Sequence, residues 1–113
     1  MKRFALLLCF AGFALPASAE VVVDPGLAEV VTLARLNGVA LACSNPEVAL
    51  RIKNAMIQHA PKSPRYGVSF EQVTSTSFLD QLKLGQGSCP DTPTLAGKVD
   101  ETVAKLRSAV QSN

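Results

Sequence analysis

The chain has 113 residues, 48% of them hydrophobic and 18% charged, with a formal net charge of +2. That length supports one domain after any leader is removed. So small a charge excludes the basic footprint of a nucleic-acid binder, and a single histidine leaves no parts for a metal centre built on several imidazoles.

Met1-Lys2-Arg3 is a basic start, Phe4 to Leu15 an almost unbroken apolar run, and Pro16-Ala17-Ser18-Ala19 a small-x-small ending. This pattern predicts a signal peptide over residues 1–19, cut after Ala19, and a periplasmic or secreted product of residues 20–113. The apolar run falls short of the ~20 residues a span needs, so no stable membrane span is expected after cleavage. Lys2 and Arg3 leave with the leader and no acid does, so residues 20–113 carry equal numbers of cations and anions. Cys9 leaves too. Cys43 and Cys89 then remain in an oxidising compartment and are predicted to form one disulfide, worth roughly 4 kcal/mol on the chain-entropy view. No Cys-x-x-Cys supports dithiol redox catalysis.

Asp24-Pro25 reads as the start of the first helix. Val30, Val31, Leu33, Ala34, Leu36, Ala40, Leu41 and Cys43 follow at helical spacing, with Glu29, Thr32, Arg35 and Asn37 on the wetter side. Ser44 and Glu47 are spaced as a capping box opening helix two, which runs to about Ala60 on a stripe of Val48, Ala49, Ile52, Ala55, Met56 and His59. Pro61 and Pro64 stop it, because neither can donate to the backbone ladder. Residues 61–67 read as the one true loop. Ser69 and Gln72 offer a second capping box, and helix three then reaches about Leu84 with Phe70, Val73, Phe78, Leu79 and Leu82 apolar. The run Thr74-Ser75-Thr76-Ser77 weakens it, and propensity alone leaves open whether the helix is interrupted there. Gly85-Gln86-Gly87 turns the chain, Thr92-Pro93 opens helix four, and Leu95, Val99, Val103, Leu106 and Val110 form its stripe. Glu101 and Lys105 are spaced as an i,i+4 ion pair. The fold class is all-α: a small bundle of about four helices with one disulfide.

No residue set carries chemistry. A hydrolytic triad needs nucleophile, base and orienter converging, and the lone His59 is better explained at the end of helix two, against the helix dipole. Met56 and His59 share one helical face, whereas axial haem ligands must approach from opposite sides, and no haem-attachment motif is present; no cofactor and no metal are expected. The distinctive feature is the interval between Glu47 and Glu71, which holds Arg51, Lys53, Lys62 and Arg65 with no acid among them, beside Tyr66 and the proline loop. Arg and Tyr are favoured at binding hot spots. Arg51, Lys62, Arg65 and Tyr66 are therefore the candidate contacts for a partner with an acidic surface. The expected function is that of an exported, non-catalytic accessory protein acting through contacts with an envelope protein. An envelope stress chaperone is one alternative, and a ligand carrier or enzyme using the bundle interior is another.

Overall fold

The computed structural model describes residues 24–111, so the predicted signal peptide and its cleavage site lie outside the described residues. Four helices follow in order: α1 (Leu27–Ala42), α2 (Pro46–His59), α3 (Pro64–Leu84) and α4 (Thr92–Gln111), with a 3₁₀ turn at Gln86–Ser88. Cys43 and Cys89 are bonded, with Cα atoms 5.8 Å apart, and close a loop of 46 residues around α2 and α3.

Helix boundaries depart from the sequence expectation where two cap signals compete. Asp24 does not cap α1 with its side chain. Its carbonyl accepts from Leu27 N at 3.1 Å, its carboxylate meets Arg65 at 3.3 Å, and the cap position falls to Gly26 at φ +81°. Ser44 does not cap α2 either. It adopts φ 54° and ends α1, with Asn45 N bonded to Ala40 O and Ser44 N to Leu41 O. Those two bonds satisfy carbonyls that α1 would otherwise leave free, and a left-handed residue is what such an ending requires. Capping of α2 passes to Asn45, whose side chain accepts from Val48 N at 3.3 Å. The third helix begins at Pro64, not Ser69, because proline suits the first helical position. Arg65, Tyr66 and Gly67 therefore sit in its first turn, and the loop is shorter than expected. Asp91 caps α4, accepting from Thr94 N at 3.1 Å and Thr94 Oγ1 at 2.7 Å. Those two bonds hold the Asp91 carboxyl below its ordinary pKa.

Helix direction follows from which residues meet. Tyr66 reaches Pro25, Thr74 reaches Ala34 and Gln86 reaches Ala42, so α1 and α3 run parallel. Asn45 meets Thr92 and Arg51 meets Asp100, so α2 and α4 also run parallel. Helix α1 packs against each of the other three, whereas α3 packs against α1 and neither α2 nor α4. The arrangement is a three-helix core of α1, α2 and α4 with α3 laid along the outer side of α1. Val30, Leu33, Val48, Ile52, Leu95, Val99 and Leu106 are its fully buried large side chains.

The seam between α1 and α3 accounts for the polar run of α3, which is continuous helix throughout. Thr74 Oγ1 donates to Ala34 O at 3.3 Å, and Ser77 Oγ donates to Arg35 O at 2.7 Å. Asn37, expected on the wet side, is buried here and donates to Thr74 Oγ1 at 3.3 Å. Small residues let the two backbones approach. A Cβ placed on Gly38 would stand 2.6 Å from Phe78 N, from Ser77 Cβ and from Thr74 O. With its small and polar positions turned toward α1, α3 carries part of its apolar surface outward, and Leu79 and Leu82 are exposed instead of buried.

Candidate functional site

The four residues expected to bind a partner do not form one exposed cluster. Arg51 faces α4, where its guanidinium bonds both carboxylate oxygens of Asp100 at 3.0 and 3.2 Å. That pair spans a groove of about 380 Å³ between α2 and α4, bordered by Leu50, Asn54, His59 and Val103. Lys62 folds back on the end of α2, its ammonium donating to the carbonyl of Ile57 and, at 3.5 Å, to that of Met56. A cation at a helix carboxyl end meets the negative pole of the dipole, so its position has a local electrostatic cause. Arg65 pairs with Asp24.

Tyr66 is buried at 5% exposure, and its hydroxyl donates to Pro25 O at 3.0 Å. It ties the start of α3 to the start of α1 and is not an exposed anchor. Burial first, and the Asp24 carboxylate second, push its pKa above the ordinary tyrosine value, against the opposing Arg65 charge. Its ring still forms part of a wall. Tyr66, Lys62, Met56, Ile57, Pro61 and Pro64 border a second groove of about 370 Å³, at the corner where α2 gives way to α3.

Two residues that the periodicity reading passed over complete this surface. Leu50 and Ile57 are each 58% exposed and stand seven apart on the outer side of α2. Leu50 borders the first groove and Ile57 the second. The signal was present in the sequence: both fall off the buried stripe of Val48, Ile52 and Ala55, among the polar residues Arg51, Lys53, Asn54 and Gln58. Helix α3 presents a further apolar side through Val68, Leu79 and Leu82, and Leu84 is exposed at its end, all four between 47% and 66% exposed.

Among the described residues no group of three or more His, Cys, Asp or Glu side chains could hold a metal ion. Among the same residues no helix is long and apolar enough to cross a membrane. No protein-family model, curated protein or solved structure matches the chain.

Proposed function

We propose that the protein is a small exported accessory that acts by binding another protein, without catalysis, through the outer side of α2 and its corner with α3. The observation that carries this reading is the pair Leu50 and Ile57, large apolar side chains left in water on one side of α2, each bordering a groove. Exposed apolar side chains set beside grooves and rimmed by polar groups mark a place where a partner can dock. Export is supported by the amino-terminal leader pattern and by a disulfide, which persists in oxidising compartments.

The test is site-specific photo-cross-linking in the envelope, with the reactive amino acid placed at Ile57 and, as a control, at exposed Lys98 on α4. A discrete protein adduct is expected from Ile57 alone, and Leu50→Glu should abolish it with the helical circular dichroism unchanged. Equal adducts from both positions, or none from Ile57, would overturn the reading. The exposed leucines of α3 favour a second reading, a chaperone that shields unfolded clients. That role predicts suppressed aggregation of a reduced client protein, an activity Leu79→Glu with Leu82→Glu would remove.

A further inference from the structure

We infer that the partner of the α2 face is an acidic amphipathic helix, laid along the ridge of Leu50, Lys53 and Ile57 and reaching the corner groove beside Lys62; this rests on the protein-binding reading above. Residues seven apart on a helix are separated by two turns, about 10.5 Å, and present one face. An apolar stripe at matching spacing on a second helix meets both side chains at once, the usual geometry of helix recognition by a groove. Ile57 borders the groove of about 370 Å³ at the corner, and Leu50 borders the groove of about 380 Å³ that runs along the α4 side of α2 from Glu47 to His59, so each apolar side chain has a recess beside it.

Charge decides the kind of helix. Of the four cations between Glu47 and Glu71, Arg51 and Arg65 are already paired, with Asp100 and Asp24. Lys53 and Lys62 have no carboxylate partner among the described residues, and Lys62 meets only carbonyls. Lys53 stands on the ridge between Leu50 and Ile57 and Lys62 borders the corner groove with Ile57, whereas the one acid on α2, Glu47, is in its first turn and borders the other groove. Carboxylates on the incoming helix would supply what Lys53 and Lys62 lack. A second copy of the chain is a poorer occupant. Two-fold pairing centred between Leu50 and Ile57 sets Lys53 against its own copy, and like charges in contact oppose association.

The experiment uses the folded, disulfide-bonded protein and two synthetic helical peptides with the same leucine stripe, one flanked by glutamates and the other by lysines. Binding is followed by amide chemical shifts, and anionic vesicles serve as a third probe. The glutamate peptide should bind saturably, shift amides of α2 and of the Pro61–Pro64 corner, and weaken as salt rises. Lys53→Glu and Ile57→Ala should each weaken it about tenfold, whereas Lys98→Glu, the same charge change on α4, should leave affinity within about twofold. Equal or tighter binding of the lysine peptide, shifts confined to α3, no saturable binding of the glutamate peptide, or adsorption to vesicles in its place would each overturn the inference. A specific adduct from Ile57 together with preference for the lysine peptide would sink the acidic assignment and leave the protein-binding reading standing. Loss of both would remove that reading as well.

Discussion

Gly38 occupies the tightest point of the fold, and its neighbours set the consequence of adding a single carbon. A methyl group there would press on three backbone and Cβ atoms of α3 at 2.6 Å, none of them the free end of a flexible side chain. Alanine gains about 1 kcal/mol in helix propensity, but overpacking costs about 1–3 kcal/mol, and rigid neighbours place this site at the upper end. Gly38→Ala should therefore destabilise the domain by about 1–2 kcal/mol net in urea unfolding. Gly67→Ala and Gly97→Ala meet nothing within 4 Å and should each stabilise it by up to about 1 kcal/mol. Tyr66 is the other residue whose role is set by its surroundings. Tyr66→Phe keeps the ring but leaves Pro25 O without its donor, an expected loss of about 1 kcal/mol near neutral pH. Because burial raises the folded-state pKa, the neutral hydroxyl contributes stability that is fully present below the unfolded tyrosine value of about 10. That contribution is lost as pH rises through the higher folded value. The wild-type protein should lose stability on alkaline titration more steeply than Tyr66→Phe, a difference that denaturant midpoints measured across the alkaline range would reveal.

At the level of the helix, α3 shows how far local propensity is decisive. Residues 74–77 are poor helix formers because their hydroxyls compete for backbone bonds. Here Thr74 and Ser77 direct those hydroxyls to carbonyls of α1, so the competition becomes a seam between two helices. Thr74→Val removes both the donor to Ala34 O and the acceptor for buried Asn37, and should cost about 1–2 kcal/mol. Ser75→Ala, on exposed helix surface one residue away, should be neutral or slightly stabilising; thermal melts of the two variants separate a seam from a mere run of weak formers. The same contrast explains what was legible beforehand. Apolar periodicity located all four helices and the stripes of α2 and α4, since burial of Val48, Ile52, Leu95, Val99 and Leu106 repeats at 3.6 residues. The α1–α3 contact was legible only in part: Gly38 and the alanines of α1 allow a neighbouring helix to approach closely, but the Asn, Thr and Ser members of the seam are residues that hydropathy assigns to the surface. Leu79 and Leu82 were misjudged for the same reason: the polar side of α3 faces inward. The face proposed for binding was half legible. Its cations stood out in sequence, whereas the burial of Tyr66, the Arg51–Asp100 pair and the exposure of Leu50 and Ile57 depend on where α4 and α1 pass.

Over the whole molecule, the disulfide ties down the one helix that has a single helical neighbour. Helix α3 rests on α1 alone, so its hold depends on that one seam and on how its two ends are fixed. Tyr66, with the Arg65–Asp24 pair, fixes the first end. The second is fixed by Cys43–Cys89, which joins the end of α1 to the segment just after α3, and by Gln86, whose side chain donates to Ala42 O at 3.1 Å. Closing a loop of 46 residues restricts the unfolded chain by about 4 kcal/mol. That is a large part of the ~5–15 kcal/mol typical of a whole domain. Reduction should lower global stability by up to that amount, but its first effect should be local. With the sulfurs parted, the carboxyl half of α3 is the region with the fewest supporting helices, and it should open before the core of α1, α2 and α4. Amide hydrogen exchange on the reduced protein, or on Cys43→Ser with Cys89→Ser, should show protection lost first across residues 78–88. The amides of α4 around Val99 should remain the slowest. Uniform acceleration over all four helices would mean instead that α3 and the three-helix core unfold as one unit, and that the bridge stabilises the domain only through its unfolded chain.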